Sequence, residues 1–150
     1  AEQIDDIISV GGIDEIHIGL NDLSHSYGKK FLFEELADGT VDRLVERFKA
    51  DGIKNYGFGG IASLGNGLLP AEMIIPEHYR LGSNCAILSR AFCDVSKVGD
   101  TKEIRRIFDE GVSAIRDYEK KCAAMSEREL LKNSAALKQC VEEIVSNMQQ

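Results

Sequence analysis

Ile13-Asp14-Glu15-Ile16-His17-Ile18-Gly19-Leu20 is the stretch on which the fold turns. It is rich in β-branched residues, whose stiff side chains suit a pleated backbone, and it predicts a strand. Ahead of it, Ile4, Ile7 and Ile8 carry helical spacing. After it comes a long polar loop, then a helix from about Thr40 to Ala50. Val41, Leu44, Val45 and Phe48 share one face of that helix, and Gly52 is placed to cap its end. The alternation continues. Tyr56 to Ala62 predicts a second strand. Pro70 to Leu81 is helical, with Pro76 expected to kink the helix or start a new one and Gly82 to end it. Cys85 to Leu88 predicts a third strand, and Thr101 to about Ala124 a long amphipathic helix. Ser126 opens the last helix, with Glu129 at the capping-box position, running to about Met148.

Strands alternating with helices imply an α/β fold with parallel strands. Two architectures satisfy the order: an open doubly wound sheet and a piece of a (β/α)8 TIM barrel. Two features favour the piece. The chain opens without Met and as if inside a helix, since Ala1-Glu2-Gln3-Ile4 offers no N-cap of its own. Three strands are also few for an open parallel sheet buried on both faces. A complete barrel needs eight strands and about 250 residues. Residues 1–150 are therefore expected to be a single C-terminal part of a barrel domain, strands 6–8 and the helices after them, with an extra C-terminal helix and the N-terminal part absent.

The 150 residues carry a formal net charge of −7, with 43% hydrophobic and 29% charged side chains. These are values of an ordinary soluble domain. An acidic surface repels phosphate backbones and anionic lipid, so neither nucleic acid nor a membrane surface is an expected partner. Apolar runs such as Met73 to Ile75 are far too short to span a bilayer, and no signal-peptide pattern opens the chain. Cys85, Cys93, Cys122 and Cys140 lack the spacing of a zinc knuckle or a C-x-x-C motif. Reduced, buried cysteines in a cytoplasmic protein are expected.

The segment that carries chemistry is Gly19-Leu20-Asn21-Asp22-Leu23-Ser24-His25-Ser26-Tyr27-Gly28. It continues from the first strand at its C-terminal end, the functional side of parallel α/β folds. A carboxylate there, beside a glycine and exposed backbone amides, can hold a hard divalent cation. Mg²⁺ and Mn²⁺ prefer oxygen and often take only one or two protein carboxylates, completed by substrate and water. The same residues also suit a simpler role in which Asp22 caps the next turn.

GLNDLSHSYG resembles the strand-to-loop motif Gly-Pro-x-Asp-Leu-Ser of the HpcH/HpaI aldolase and citrate-lyase β-subunit family. The preceding AEQIDDIISVGGIDEIHIG resembles the helix and strand just upstream in that family, and the later segments fit the order of its seventh strand, eighth strand and C-terminal helices. The resemblance implies a phosphoenolpyruvate/pyruvate-type barrel that cleaves a 2-oxo acid, or a related acyl-CoA ester, and releases pyruvate or a close relative. It implies a divalent metal, Mg²⁺ or Mn²⁺, with Asp22 as one ligand. Gly19, Leu20 and Asn21 are implied to hold the substrate carboxylate through backbone amides. Leu20 stands where the family has proline. The family's other metal ligand, a glutamate, falls before Ala1, and its arginine and histidine come from earlier strands; Arg43, Arg47 and His17 do not match those positions. The chain alone is therefore expected to be catalytically incomplete and to need the missing half of the barrel. A homo-oligomer is also implied, with the last helix docking on a neighbouring subunit.

Other residues carry weaker signals. Arg90, at the end of the third strand, suits a substrate carboxylate or an ion pair with Asp94. His25 suits a surface loop, and His17, inside a strand, a satisfied core histidine. Gly57, Gly59, Gly60, Gly65 and Gly67 suit close strand packing or a mobile loop more than a phosphate cradle, because Walker and G-x-G-x-x-G spacings are missing. Glu72, Glu77 and His78 read as a solvated helix face. Two other functions fit the pattern: a non-catalytic assembly module joined through strand edges and terminal helices, and a nucleotide-binding doubly wound domain.

Overall fold

The computed structural model describes residues 3–148. In chain order the elements are α1 (Ile4–Ser9), β1 (Glu15–Gly19), α2 (Leu20–Ser26), α3 (Glu34–Ala37), α4 (Thr40–Ala50), β2 (Asn55–Gly59), α5 (Ala71–Leu81), α6 (Val95–Val98), α7 (Thr101–Ala123) and α8 (Glu127–Asn147). Ala1 and Glu2, part of the expected helix start, lie outside the described residues. The helix begins after Gln3 without a side-chain cap. The architecture is mixed α/β.

β1 and β2 pair in parallel, with Ile16 opposite Tyr56, Ile18 opposite Phe58 and Gly19 opposite Gly59. Strand side chains alternate between faces. One face therefore collects Ile16, Ile18, Tyr56 and Phe58, and the other collects Glu15, His17, Gly19, Asn55, Gly57 and Gly59. The first face is the core: Ile18, Tyr56 and Phe58 are buried, and Phe48 of α4 packs on Tyr56 at 5.7 Å between ring centres. The α4 stripe expected from the sequence is buried in full, as Val41, Leu44, Val45 and Phe48.

The third expected strand does not form as a strand. Between Cys85 and Leu88 only two parallel bridges exist, Gly57 to Cys85 and Ile61 to Leu88. At Gly57 the approach is so close that any Cβ would collide with the Cys85 carbonyl oxygen. The segment lies alongside β2, but its two bridges are out of step, four residues apart on one side and three on the other, so no continuous ladder forms. The sheet is thus two-stranded.

The expected long loop after β1 is also largely helical. Leu20 starts α2 directly from the strand, and Phe31, Phe33 and Leu36 sink into the core around α3. Those apolar anchors fold a stretch whose polar composition reads as loop.

α5 runs unbroken through Pro76. Proline lacks the N–H that would bond the carbonyl four residues back, here Glu72. Tyr118 of α7 donates its hydroxyl to that carbonyl at 3.0 Å, and Asn133 of α8 donates to the Met73 carbonyl at 2.9 Å. Neighbouring helices thus supply donors along the turn that proline disturbs, and no new helix starts at Pro76. Gly82 ends the helix in a left-handed conformation, φ 73°.

Glu77 and His78 are not on a solvated face. Glu77 is fully buried and accepts from Arg80 Nε at 2.7 Å, Ser134 Oγ at 3.2 Å and Asn133 Nδ2 at 3.3 Å. Arg80 in turn grips Asp42 of α4 through both terminal nitrogens, at 2.6 and 3.1 Å. α8 covers this face of α5, with Leu137 and Val141 buried. α8 opens on the expected capping box of Ser126 and Glu129. The four cysteines are unpaired; Cys122 is buried and the others are half-buried.

Removing the Glu77 carboxylate leaves Arg80 without its inner partner and two amide and hydroxyl donors unmet. Glu77→Ala should lower stability by about 3 kcal/mol, and Tyr118→Phe by about 1 kcal/mol. Urea denaturation followed by far-UV circular dichroism measures both.

Candidate functional site

Because β1 and β2 are parallel, their C-terminal ends share one edge of the sheet. The parallel bridge between Ile61 and Leu88 brings Ser89 and Arg90 toward the same edge. Asp22 stands there, exposed, in the first turn of α2. Its carboxylate turns back over Gly19, with Oδ2 3.3 Å from where a Cβ on Gly19 would lie. A side chain at 19 would crowd the carboxylate; glycine leaves it room.

Asn21 is exposed, and its carbonyl accepts from Ser24 Oγ at 3.0 Å. Leu20 is 1% exposed, so its side chain belongs to the core and only its backbone is available to a ligand. The amides of Leu20 and Asn21 open α2, where N–H groups have no partner within the helix. Arg90 is exposed. Its alternative partner is otherwise engaged: Asp94 binds Lys97 at 3.3 Å and accepts from Ser96 Oγ at 2.6 Å. Among the described residues, no group of three or more histidine, cysteine, aspartate or glutamate side chains is placed to hold a metal ion.

Gly57, Gly59 and Gly60 pack closely against the 85–89 segment: a Cβ on Gly60 would lie 2.8 Å from Ser89 Cβ, and one on Gly59 3.2 Å from Ile87 Cβ. Close strand packing is what these three glycines permit. Gly65 and Gly67 sit in a turn at positive φ. His25 is exposed in the last turn of α2.

His17 departs from expectation. It is half-buried, not sealed in a core, and its Nε2 lies 3.2 Å from the Cβ position of Gly59. A satisfied core histidine needs a strand buried on both faces. Here the helices cover the face of Ile18 and Phe58, and His17 projects from the other.

The sealed histidine is His78, which the sequence did not single out from its helix face. Its ring stacks on Phe58 at 3.9 Å, and Nδ1 meets Ser83 Oγ at 2.7 Å. Only the 3.6-residue spacing of His78 from Ile74, Ile75 and Leu81 hinted at burial. It borders a cavity of about 720 Å³ walled by Ile61, Ile75, Leu88, Val112 and Ile115. That cavity includes none of Gly19, Leu20, Asn21, Asp22 or Arg90 in its lining.

No protein-family model, curated protein or solved structure matches the chain. No helix among the described residues is long and apolar enough to cross a membrane.

Burial, with a smaller contribution from His17, pushes His78 from 6.5 down to about 4. The folded chain resists protonation that the unfolded chain accepts between those values. Stability from this group is complete above about pH 6.5 and is lost as pH falls toward 4, by on the order of 3 kcal/mol. Urea midpoints measured from pH 7 to 4 should fall accordingly, and His78→Leu should flatten that part of the profile.

Proposed function

We propose that this chain is the C-terminal part of a (β/α)8 barrel and belongs to a divalent-metal-dependent carbon–carbon lyase acting on a 2-oxo acid, releasing pyruvate or a close relative. β1, β2 and the 85–88 segment are its sixth to eighth strands in this reading. The observation that carries it is Asp22: an exposed carboxylate at the C-terminal end of a parallel strand, folded over Gly19, within the residues that resemble the aldolase motif. Parallel pairing of consecutive strands supports the barrel.

Asp22 fits a hard divalent ion, Mg²⁺ or Mn²⁺, as one oxygen ligand of a site that other groups complete. When bound, such an ion supplies Lewis-acid stabilisation of charge developing on a keto oxygen. The chain's own residues bind and orient the acid. Backbone amides of Leu20 and Asn21 face the substrate carboxylate, and Arg90 at the same edge offers a second anchor for it.

A non-catalytic assembly module is the second reading. One observation favours it: β1 pairs only with β2, so its outer edge has no strand partner among the described residues. An open edge recruits another strand.

Asp22→Asn, made in the complete protein, separates the two. The lyase reading expects Mn²⁺ affinity, followed by electron paramagnetic resonance, to fall roughly tenfold or more, with loss of 2-oxo acid cleavage. Unchanged metal affinity and activity would sink it, and a protein without metal binding that still assembles through β1 would favour the module.

A further inference from the structure

α5 and α7 each turn one face to the cavity beside His78. On α5 that face is Ile75, His78 and Tyr79, at helical spacing. On α7 it is Val112, Ile115, Arg116 and Glu119, again at helical spacing. The segment from Ser83 to Leu88 lines the rest of the space. Its volume of about 720 Å³ falls within the range of small-molecule sites, about 300–1,000 Å³. Along α7 the lining changes character within one turn. Val112 and Ile115 are apolar, and Arg116 and Glu119, the two charged residues of the lining, pair with each other at 2.7 Å. The cavity therefore offers an apolar interior without an unanswered charge.

One group in the wall is unmatched. His78 is 8% exposed, and its Nε2 is buried without a hydrogen-bond partner among the described residues. Ser83 decides where the ring proton lies. Its Oγ donates to the Cys85 carbonyl at 3.3 Å, so it accepts from His78 Nδ1 at 2.7 Å. The proton is then on Nδ1, and Nε2 is a lone pair that lacks a donor. Burial holds the ring at about 4, so it is neutral at neutral pH. A buried acceptor left unmet is unfavourable, and a ligand that brings a donor removes that penalty.

We propose that this cavity binds a small, uncharged alcohol or phenol, with its apolar body against Ile61, Ile75, Leu88, Val112 and Ile115 and its hydroxyl donated to His78 Nε2. The site is separate from Asp22, because neither Gly19 to Asp22 nor Arg90 lines it, and it does not rest on the lyase reading. An anion would bring an acceptor to an acceptor and a charge to an apolar wall. A plain hydrocarbon would fill the space but leave Nε2 unmet. A hydroxyl on an apolar body satisfies both.

The probe is para-ethylphenol, and its control is para-ethylanisole, of nearly the same shape but without a donor. In the full chain at neutral pH, the phenol should shift the His78 Nε2 resonance in long-range proton–nitrogen spectra. The ether should bind about tenfold more weakly, the loss of one hydrogen bond to a buried acceptor. His78→Leu should bring the two probes within about twofold of each other. Val112→Trp, at a half-buried position of the wall, should block both by filling the space while leaving His78 in place. The comparison of phenol with ether in the wild type needs neither variant to fold. No saturable binding of the phenol, a His78 resonance that stays still when the phenol is bound, or equal affinity for phenol and ether would each overturn the inference, as would undiminished binding in Val112→Trp.

Discussion

The register of β1 against β2 is the constraint on which the whole arrangement depends. With Ile16 opposite Tyr56 and Ile18 opposite Phe58, every large apolar residue of the pair faces α4 and α5. A slip of one residue in β1 would turn Glu15, His17 and Gly19 into the core and put Ile16 and Ile18 on the other face. The buried face makes that slip costly, so the register is fixed by hydrophobic burial. The opposite face is then fixed too, and its Gly57 and Gly59 receive the 85–89 segment. Gly19 meets Gly59 at its end, and the His17 ring lies beside Gly59.

Around this sheet the helices are joined by polar contacts as much as by apolar ones. Glu77 is the clearest case: a carboxylate taken wholly out of water, held by an arginine, a serine and an asparagine. Burying such a group is tolerable only when its oxygens are satisfied, because an unpaired buried charge is strongly destabilising. The arrangement works because three helices contribute: Arg80 from α5 itself, Asn133 and Ser134 from α8, and Asp42 from α4 on the far side of the guanidinium. α8, which the family resemblance assigns to a neighbouring subunit, lays its apolar stripe on α5 and α3 of its own chain.

Much of this was legible in the sequence where a local rule dominates. The α4 stripe, the β1 isoleucines, the Gly82 stop and the Ser126–Glu129 box are all short-range signals, and each element lies within a residue or two of its expected bounds. The misreadings share one cause: they depended on partners far along the chain. Pro76 could not be judged without Tyr118, nor Glu77 without Asn133 and Ser134. Cys85 to Leu88 has strand composition, but its two bridges to residues 28 and 27 positions earlier fall out of step by one residue. At the candidate site the position of Asp22 could be read from the motif, since a strand end and the helix after it fix it. The exposure of His17 could not, because strand alternation leaves open which face the helices will cover.

Tyr118 carries a consequence for the order in which the chain becomes whole. The carbonyl of Glu72 loses its usual donor to Pro76 and regains one only from a residue 46 positions later. Until α7 has been synthesised and docked, that oxygen must keep a water molecule, and α5 cannot be sealed on that side. The first half of the chain can therefore gather its core around Phe48 and Phe58 early, while the last turns of burial on α5 wait for the C-terminal helices to leave the ribosome.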